Sequence, residues 1–231
     1  MVQLRRGVPA AAPGKPGGAG ASGWLVEYLP IVRHPAFLRV APLALLLYGG
    51  MVAVQALWAG PWLTRVCGWT PVEAGRGLLL LNAGMLVAFL GWGAVMPWLQ
   101  RRGTSVESLL VAGVPVSLLI LALNVWLVDR AQAGHWMAWC MSCSVVALSQ
   151  PALANAFPPQ MAGRALSAYN LLAFVGIFSL QWGVGLAVDV FQALGASDAQ
   201  AFQRTFALLW LACAASYAWY VLPVWRRGDN G

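Results

Sequence analysis

Residues 71–82 read PVEAGRGLLLLN and residues 159–170 read PQMAGRALSAYN. Both fit Pro-x-x-Ala-Gly-Arg-small-x4-Asn, and every matched position is offset by 88 residues. Each copy opens a long apolar run. Proline suits the first turn of a helix, where its missing N–H would have no partner, and Thr70 with Glu73 three residues on has the capping-box pattern. The two copies therefore predict two helix starts of common structural origin, one entering the second long apolar segment and one the fifth.

Outward from these copies, charge is scarce. Only 9% of the 231 residues are charged and 60% are apolar, against about 25% charged in a soluble domain. Stretches free of Asp, Glu, Lys and Arg run over 40–64, 77–100, 108–128, 131–163, 165–188 and 205–225. Each exceeds the roughly 18–20 residues that span a hydrocarbon core of about 30 Å. Their continuous apolar character, without period-two alternation, excludes a β-barrel. The expected fold is an all-α membrane protein with spans near 40–62, 77–99, 108–128, 136–157, 165–188 and 205–224. Three spans separate the two motif copies, so Arg76 and Arg164 face opposite sides of the membrane. The six helices then form two inverted three-helix repeats.

The arginines orient the bundle. Segments sharing a side with the termini carry Arg5, Arg6, Lys15, Arg33, Arg39, Arg101, Arg102, Arg164, Arg226 and Arg227 against Glu27, Glu107 and Asp229. The opposite segments carry four basic and four acidic residues, so the whole excess of +7 lies on one side. The positive-inside rule places both termini in the cytoplasm, as in a bacterial inner membrane. Anionic lipid accounts for the basic excess, and no nucleic-acid partner is called for. Residues 1–30 read as a cytoplasmic Gly/Pro/Ala-rich linker, disordered over 7–23, with no apolar run of a signal peptide. Residues 24–37 have amphipathic character suited to the cytoplasmic interface, and 227–231 form a cytoplasmic tail. Trp58, Trp62, Trp69, Trp92, Trp98, Trp136, Trp139 and Trp225 lie toward span ends, as an aromatic belt would.

Further stretches resemble one family. GAVMPWLQRRG, from Gly93 to Gly103, is similar to the short cytoplasmic loop signature of major facilitator superfamily transporters. Gly93, Arg101 and Arg102 match, whereas Pro97 and Gln100 replace its Asp and second Gly. AGRALSAYNLLAFVGIFSLQWGVG (162–185) resembles the family's eleventh helix, and YGGMVAVQALWAGPW (48–62) its seventh. The resemblance covers about residues 38–225 and implies the C-terminal six-helix half of such a transporter. A second six-helix half would be its partner, whether this chain is a truncated product or a half-size protein.

That resemblance places a solute path along spans one, two, four and five. Candidate substrate contacts are Gln55 and Trp58, three apart on span one and so on one face, Asn82 on span two, Gln150 before Pro151 on span four, and Asn170 and Gln181, eleven apart and aligned on span five. A proline-freed carbonyl could meet the Gln150 amide. The alternative for all of them is interhelical bonding. Gly49, Gly50, Gly84, Gly91, Gly176, Gly183 and Gly185 are read as sites of close helix approach. No carboxylate or lysine lies deep in a span, so a proton relay would have to come from the other half, the alternative being facilitated diffusion. An enzyme alternative is a thiol–disulfide oxidoreductase using Cys140 and Cys143, and a third class is a non-transporting membrane scaffold. His135 with these two cysteines lacks a fourth ligand, so no metal, cofactor or catalytic residue is expected.

Overall fold

The computed structural model describes residues 28–222. The readings of residues 1–27, including Arg5, Arg6, Lys15, Glu27 and the linker 7–23, and of Trp225, Arg226, Arg227, Asp229 and the tail 227–231 lie outside the described residues. Six long helices follow in order: α1 Pro35–Val66, α2 Pro71–Arg101, α3 Val106–Arg130, α4 Ala133–Asn155, α5 Pro159–Ala193 and α6 Asp198–Val221. No described residue lies in a strand. Five helices, α1 to α5, are long and apolar enough to cross a membrane. Helix α6 has the length, at 24 residues, but carries more polar side chains.

Helix starts follow the chemistry of their first turns. The Thr70 hydroxyl accepts the Glu73 N–H while the Glu73 carboxylate accepts the Thr70 N–H, the expected capping box, with Pro71 at the first position. A second box, Ser197 with Gln200, opens α6. The α2–α3 and α5–α6 turns pass through Gly103 (φ 81°) and Gly195 (φ 86°), a left-handed conformation that costs glycine little. The helices outrun the charge-free stretches because Arg39, Arg65, Glu73 and Arg76 sit within helical turns at the bundle ends.

Helices α1 and α4 are central: 50% and 56% of their apolar windows are buried, against 17%, 28% and 22% for α2, α3 and α5. Helix α1 packs on α5 and α6, α4 packs on α2 and α3, and α3 packs on α6. Exchanging α1 with α4, α2 with α5 and α3 with α6 maps these contacts onto one another, but α5 also packs on α6 with no comparable contact between α2 and α3. In lipid, such contacts hold by close packing and interhelical hydrogen bonds rather than by exclusion of water. Helices α1 and α5 touch backbone to backbone where Gly49 meets Gly176. A Cβ on Gly176 would lie 2.3 Å from the Leu45 carbonyl oxygen. Helices α4 and α2 approach where Met137 fills the space over Gly84. Gly50 and Gly185 are likewise contact sites, against Leu209 and Trp58. Gly91 and Gly183 are not, because nothing lies within 4 Å of where their Cβ would be.

Helix α1 contains three π-helical stretches, Leu43–Tyr48, Val54–Trp58 and Trp62–Val66. In the first, successive carbonyls turn to different neighbours. Leu46 accepts from the Cys213 thiol of α6 and Leu47 from the Cys143 thiol of α4, each at 3.6 Å. Prolines free further carbonyls by lacking the N–H that would bond four residues back. Pro42 frees Leu38, which accepts the Trp219 indole N–H at 2.9 Å, and Pro115 frees Val111, which accepts the Tyr217 hydroxyl at 2.8 Å. Three polar side chains of α6 are likewise spent inside the bundle. Gln203, Trp210 and Tyr217 donate to Val125, Leu118 and Val111 of α3. Both series step by seven residues, in opposite chain directions. This ladder accounts for a helix that is less apolar than the others yet integral to the bundle.

Several expectations are corrected. Trp62, Trp136 and Trp139 are fully buried. With Phe202 and Phe206 they form a core cluster, with the Trp62–Trp136 centroids 5.0 Å apart. Their large rings fill the gap between α1, α4 and α6. Trp92 also turns inward, its N–H donated to Ser144. The outward-facing tryptophans include Trp126 and Trp182, at 75% and 71% exposure. Residues 28–37 do not all lie along an interface. Ile31 and Phe37 pack into a buried cluster with Leu153, Phe157 and Ala165, because this apolar pair fits between the end of α4 and the start of α5.

Arginines clasp α1 to its neighbours at both ends. Arg39 pairs with Glu107, donates to the Tyr220 carbonyl at 3.1 Å and lies over the Tyr220 ring. Arg65 makes two bonds of 3.1 Å to Asp198 and lies over Phe202. The hydrogen bond from Arg65 holds the Asp198 carboxyl below its ordinary value. A depressed carboxylate contributes stability above its unfolded value, near pH 4, and loses it as pH falls through the folded one. Both side chains of this pair are more than 40% exposed, so Arg65→Ala is expected to cost less than about 1 kcal/mol at neutral pH. Thermal unfolding in detergent at pH 7 checks this.

Candidate functional site

The six candidate contact residues make three interhelical bonds. Gln55 of α1 donates its amide N–H to Asn82 Oδ1 of α2 at 2.9 Å. Asn82 in turn donates to the Leu78 carbonyl at 2.8 Å, which fixes its rotamer. Gln150 of α4 donates to Asn170 Oδ1 of α5 at 2.6 Å. The Trp58 indole N–H reaches the Gln181 carbonyl at 3.0 Å, with its ring against Gly185. The two asparagines are the last residues of the two motif copies, and each is bonded by a glutamine of the helix before it.

The helix directions set their depth. Helix α2 runs opposite to α1 and α5, so Asn82 and Asn170, each eleven residues past a helix-opening proline, are measured from opposite ends of the bundle. Each then lies about 16 Å in at 1.5 Å per residue. Asn82 and Asn170 are exposed, and Gln55 and Gln150 half-buried. Around them the outer faces of α2 and α5 carry Leu79, Leu86, Leu171 and Phe174, each more than 50% exposed. Amides thus stand open within an apolar surface.

Two expectations about these residues change. Gln55 and Trp58 do not share a partner face: one bonds to α2 and the other to α5. Both lie in the π-helical stretch Val54–Trp58, whose wider turn separates positions that an α-helix would bring together. Gln150 bonds to Asn170 and not to a carbonyl beside Pro151.

The loop-motif residues lie at helix ends or on open faces. No atom crowds Gly93. Arg101 and Arg102 end α2, with Arg102 stacked 4.0 Å from the Trp98 ring. Arg76 lines an open cleft with Glu73, Trp69 and Gln132, and Arg164 is exposed in the second turn of α5. Since α2 and α5 run in opposite directions, Arg76 and Arg164 stand at opposite ends of the bundle.

The cysteine pair lies elsewhere. Cys140 and Cys143 are free thiols, fully buried, and no reagent reaches them without opening the core. Among the described residues no group of three His, Cys, Asp or Glu is placed to hold a metal. One feature escaped the reading of the sequence: a cleft of about 470 Å³ between the starts of α1 and α3 and the ends of α4 and α6, lined by His34, Arg39, Glu107 and Ser149. Its ion pair was foreshadowed, since Arg39 and Glu107 are opposite charges on the same side of the predicted topology.

Compared with known protein families, curated proteins and solved structures, the chain has no significant match. The fold and the open amide face therefore define a class and no more: a helical, multi-pass membrane protein.

Proposed function

We propose that this chain is a six-span, six-helix half of a secondary transporter of the major facilitator type, moving a small solute by alternating access beside a second half. The observation that carries this reading is the pair of Gln–Asn bonds open on the faces of α2 and α5. A primary amide facing hydrocarbon leaves N–H and C=O groups without partners, at a cost of several kcal/mol. Such a face calls for a watery path, and a path needs a second wall. The 88-residue motif offset and the matching contacts of α1 with α5 and α6 and of α4 with α2 and α3 support two inverted repeats, with Asn82 and Asn170 about a third of the way along α2 and α5 from opposite ends of the bundle. The arginine distribution supports an inner membrane with both termini cytoplasmic. The buried thiols give no support to the oxidoreductase alternative.

Single cysteines at Asn82 and Asn170, in a background where Cys67 is serine, test this in membrane vesicles. Both are expected to react with a charged, membrane-impermeant thiosulfonate reagent, because both line water. If neither reacts, the face lies against lipid or a packed helix and the transport reading falls.

A further inference from the structure

The cleft of about 470 Å³ lies at the end of the bundle where α1 and α3 start and α4 and α6 finish. We infer that it holds the phosphoethanolamine group of a membrane lipid, with the phosphate on Arg39 and His34 and the ammonium on Glu107. Such a site stands whether or not the amide faces carry a solute.

The cleft lies at headgroup depth. Helix α1 has 32 residues, so it is about 48 Å long against a hydrocarbon core of about 30 Å. Centred on the bilayer, it leaves about 9 Å at each end among the headgroups. Arg39 is four residues past Pro35, about 6 Å along the axis, and falls within that layer.

Its polar groups are already aimed. Arg39 spends Nη2 on Glu107 and Nε on the Tyr220 carbonyl, with its guanidinium over the Tyr220 ring. That clamp holds the side chain at 12% exposure and leaves the Nη1 N–H groups to donate. His34 accepts the Ala36 N–H at Nδ1, at 3.2 Å, so its ring proton lies on Nε2 as a further donor. Glu107 uses Oε1 on Arg39 and is 43% exposed, which leaves Oε2 to accept.

Charge then selects the ligand. The Arg39–Glu107 pair is neutral as a unit, so a plain anion gains the arginine but meets the carboxylate. A plain cation has the reverse mismatch, whereas a zwitterion pairs both charges. Among headgroups, phosphoethanolamine brings a phosphate and an ammonium with three N–H groups. Phosphocholine has the same phosphate, but its methylated nitrogen offers Glu107 no N–H. Phosphoglycerol brings no cation at all. Val40, Val106 and Leu110 supply an apolar wall for the glycerol end.

Native mass spectrometry of the full, delipidated chain in detergent tests this with dioleoyl phosphatidylethanolamine, phosphatidylcholine and phosphatidylglycerol. One phosphatidylethanolamine is expected to bind about fivefold more tightly than either other lipid, roughly the worth of one hydrogen bond. Glu107→Gln should remove most of the preference over phosphatidylcholine. Asp198→Asn, which alters the arginine clasp at the other end of α1, should leave it unchanged. Should Glu107→Gln fail to fold, Arg39→Lys keeps the charge and should weaken phosphatidylethanolamine and phosphatidylcholine together, since both lose a phosphate contact. Equal binding of these two lipids to the parent chain would overturn the pairing of ammonium with Glu107. A preference that survives Glu107→Gln, falls equally in Asp198→Asn, or comes with no weakening in Arg39→Lys would overturn the cleft as its place. Free glycerophosphoethanolamine, which lacks the acyl chains, should bind at least about tenfold more weakly than the lipid. Equal affinity would keep the phosphoethanolamine class and overturn the membrane as its source.

Discussion

Replacing Gly176 with valine is expected to lower the unfolding temperature by roughly 10 °C, through a loss of about 3 kcal/mol. At this position the new Cβ would lie 2.3 Å from the Leu45 carbonyl oxygen and 2.9 Å from the Leu45 Cα. Both are backbone atoms of the central helix and cannot rotate aside. From the other side, a Cβ on Gly49 would lie 2.8 Å from the Gly176 carbonyl carbon. The strain must therefore move α1 away from α5 as a body. That displacement stretches the Trp58–Gln181 bond five residues along α5 and disturbs the thiol bonds to Leu46 and Leu47. Gly183→Val on the same helix is the matched control, with no atom within 4 Å of its Cβ position, and should change stability by less than about 0.5 kcal/mol. Thermal denaturation of both variants in the same detergent, followed by size-exclusion chromatography, measures the contrast. Equal effects at the two positions would show that the α1–α5 crossing is not backbone to backbone.

Trp62→Ala is expected to be as damaging or worse, at about 3–5 kcal/mol. The indole is fully buried, and its ring meets Trp136, Phe202 and Phe206 at centroid distances of 5.0, 6.1 and 5.2 Å. It also donates its N–H to the Ala131 carbonyl in the turn before α4, at 2.9 Å. Truncation opens a void at the junction of α1, α4 and α6 and removes the bond that ties α1 to that turn. Trp62→Phe separates the two effects. It keeps an aromatic ring in the cluster and deletes only the hydrogen bond and part of the volume, so a loss of about 1 kcal/mol is expected from the bond. Both variants can be unfolded in parallel with the parent chain, using far-ultraviolet circular dichroism as the signal. An alanine variant as stable as the parent would mean that Trp62 faces lipid, as a belt residue would.

The same features show where reading the chain succeeds and fails. Charge-free length located the helices because a span must satisfy every backbone group internally, and that demand is written locally, in each stretch. Caps and turns were equally local, as Thr70 with Glu73 demonstrates. The five amide residues among the six candidates stand out in the sequence, since an amide in a long apolar run contrasts with its neighbours. Their pairing was not found. Gln55 joins Asn82 across 27 residues and Gln150 joins Asn170 across 20, and the choice depends on how two helices face each other.

Tryptophan illustrates the limit most plainly. Position near a span end suggested an interfacial role for Trp62, Trp136 and Trp139, yet a ring at that depth can turn toward lipid headgroups or toward a neighbouring helix. Only rotation about the helix axis separates these outcomes, and the π-helical stretches of α1 shift that rotation along its length. The heptad series Gln203, Trp210 and Tyr217 was present in the chain all along, but it acquires meaning only opposite Val125, Leu118 and Val111 on α3.

By itself, then, the sequence determined that the chain forms long apolar helices, where they start, and that two of them open with the same motif. Those properties depend on residues a few positions apart and on the solvent around a single helix. The tertiary structure alone decided that α1 and α4 are central, that Gly176 and not Gly183 is the crossing point, and that the amides pair two by two. Each of these depends on the facing surface of another helix, and no local rule of spacing contains it.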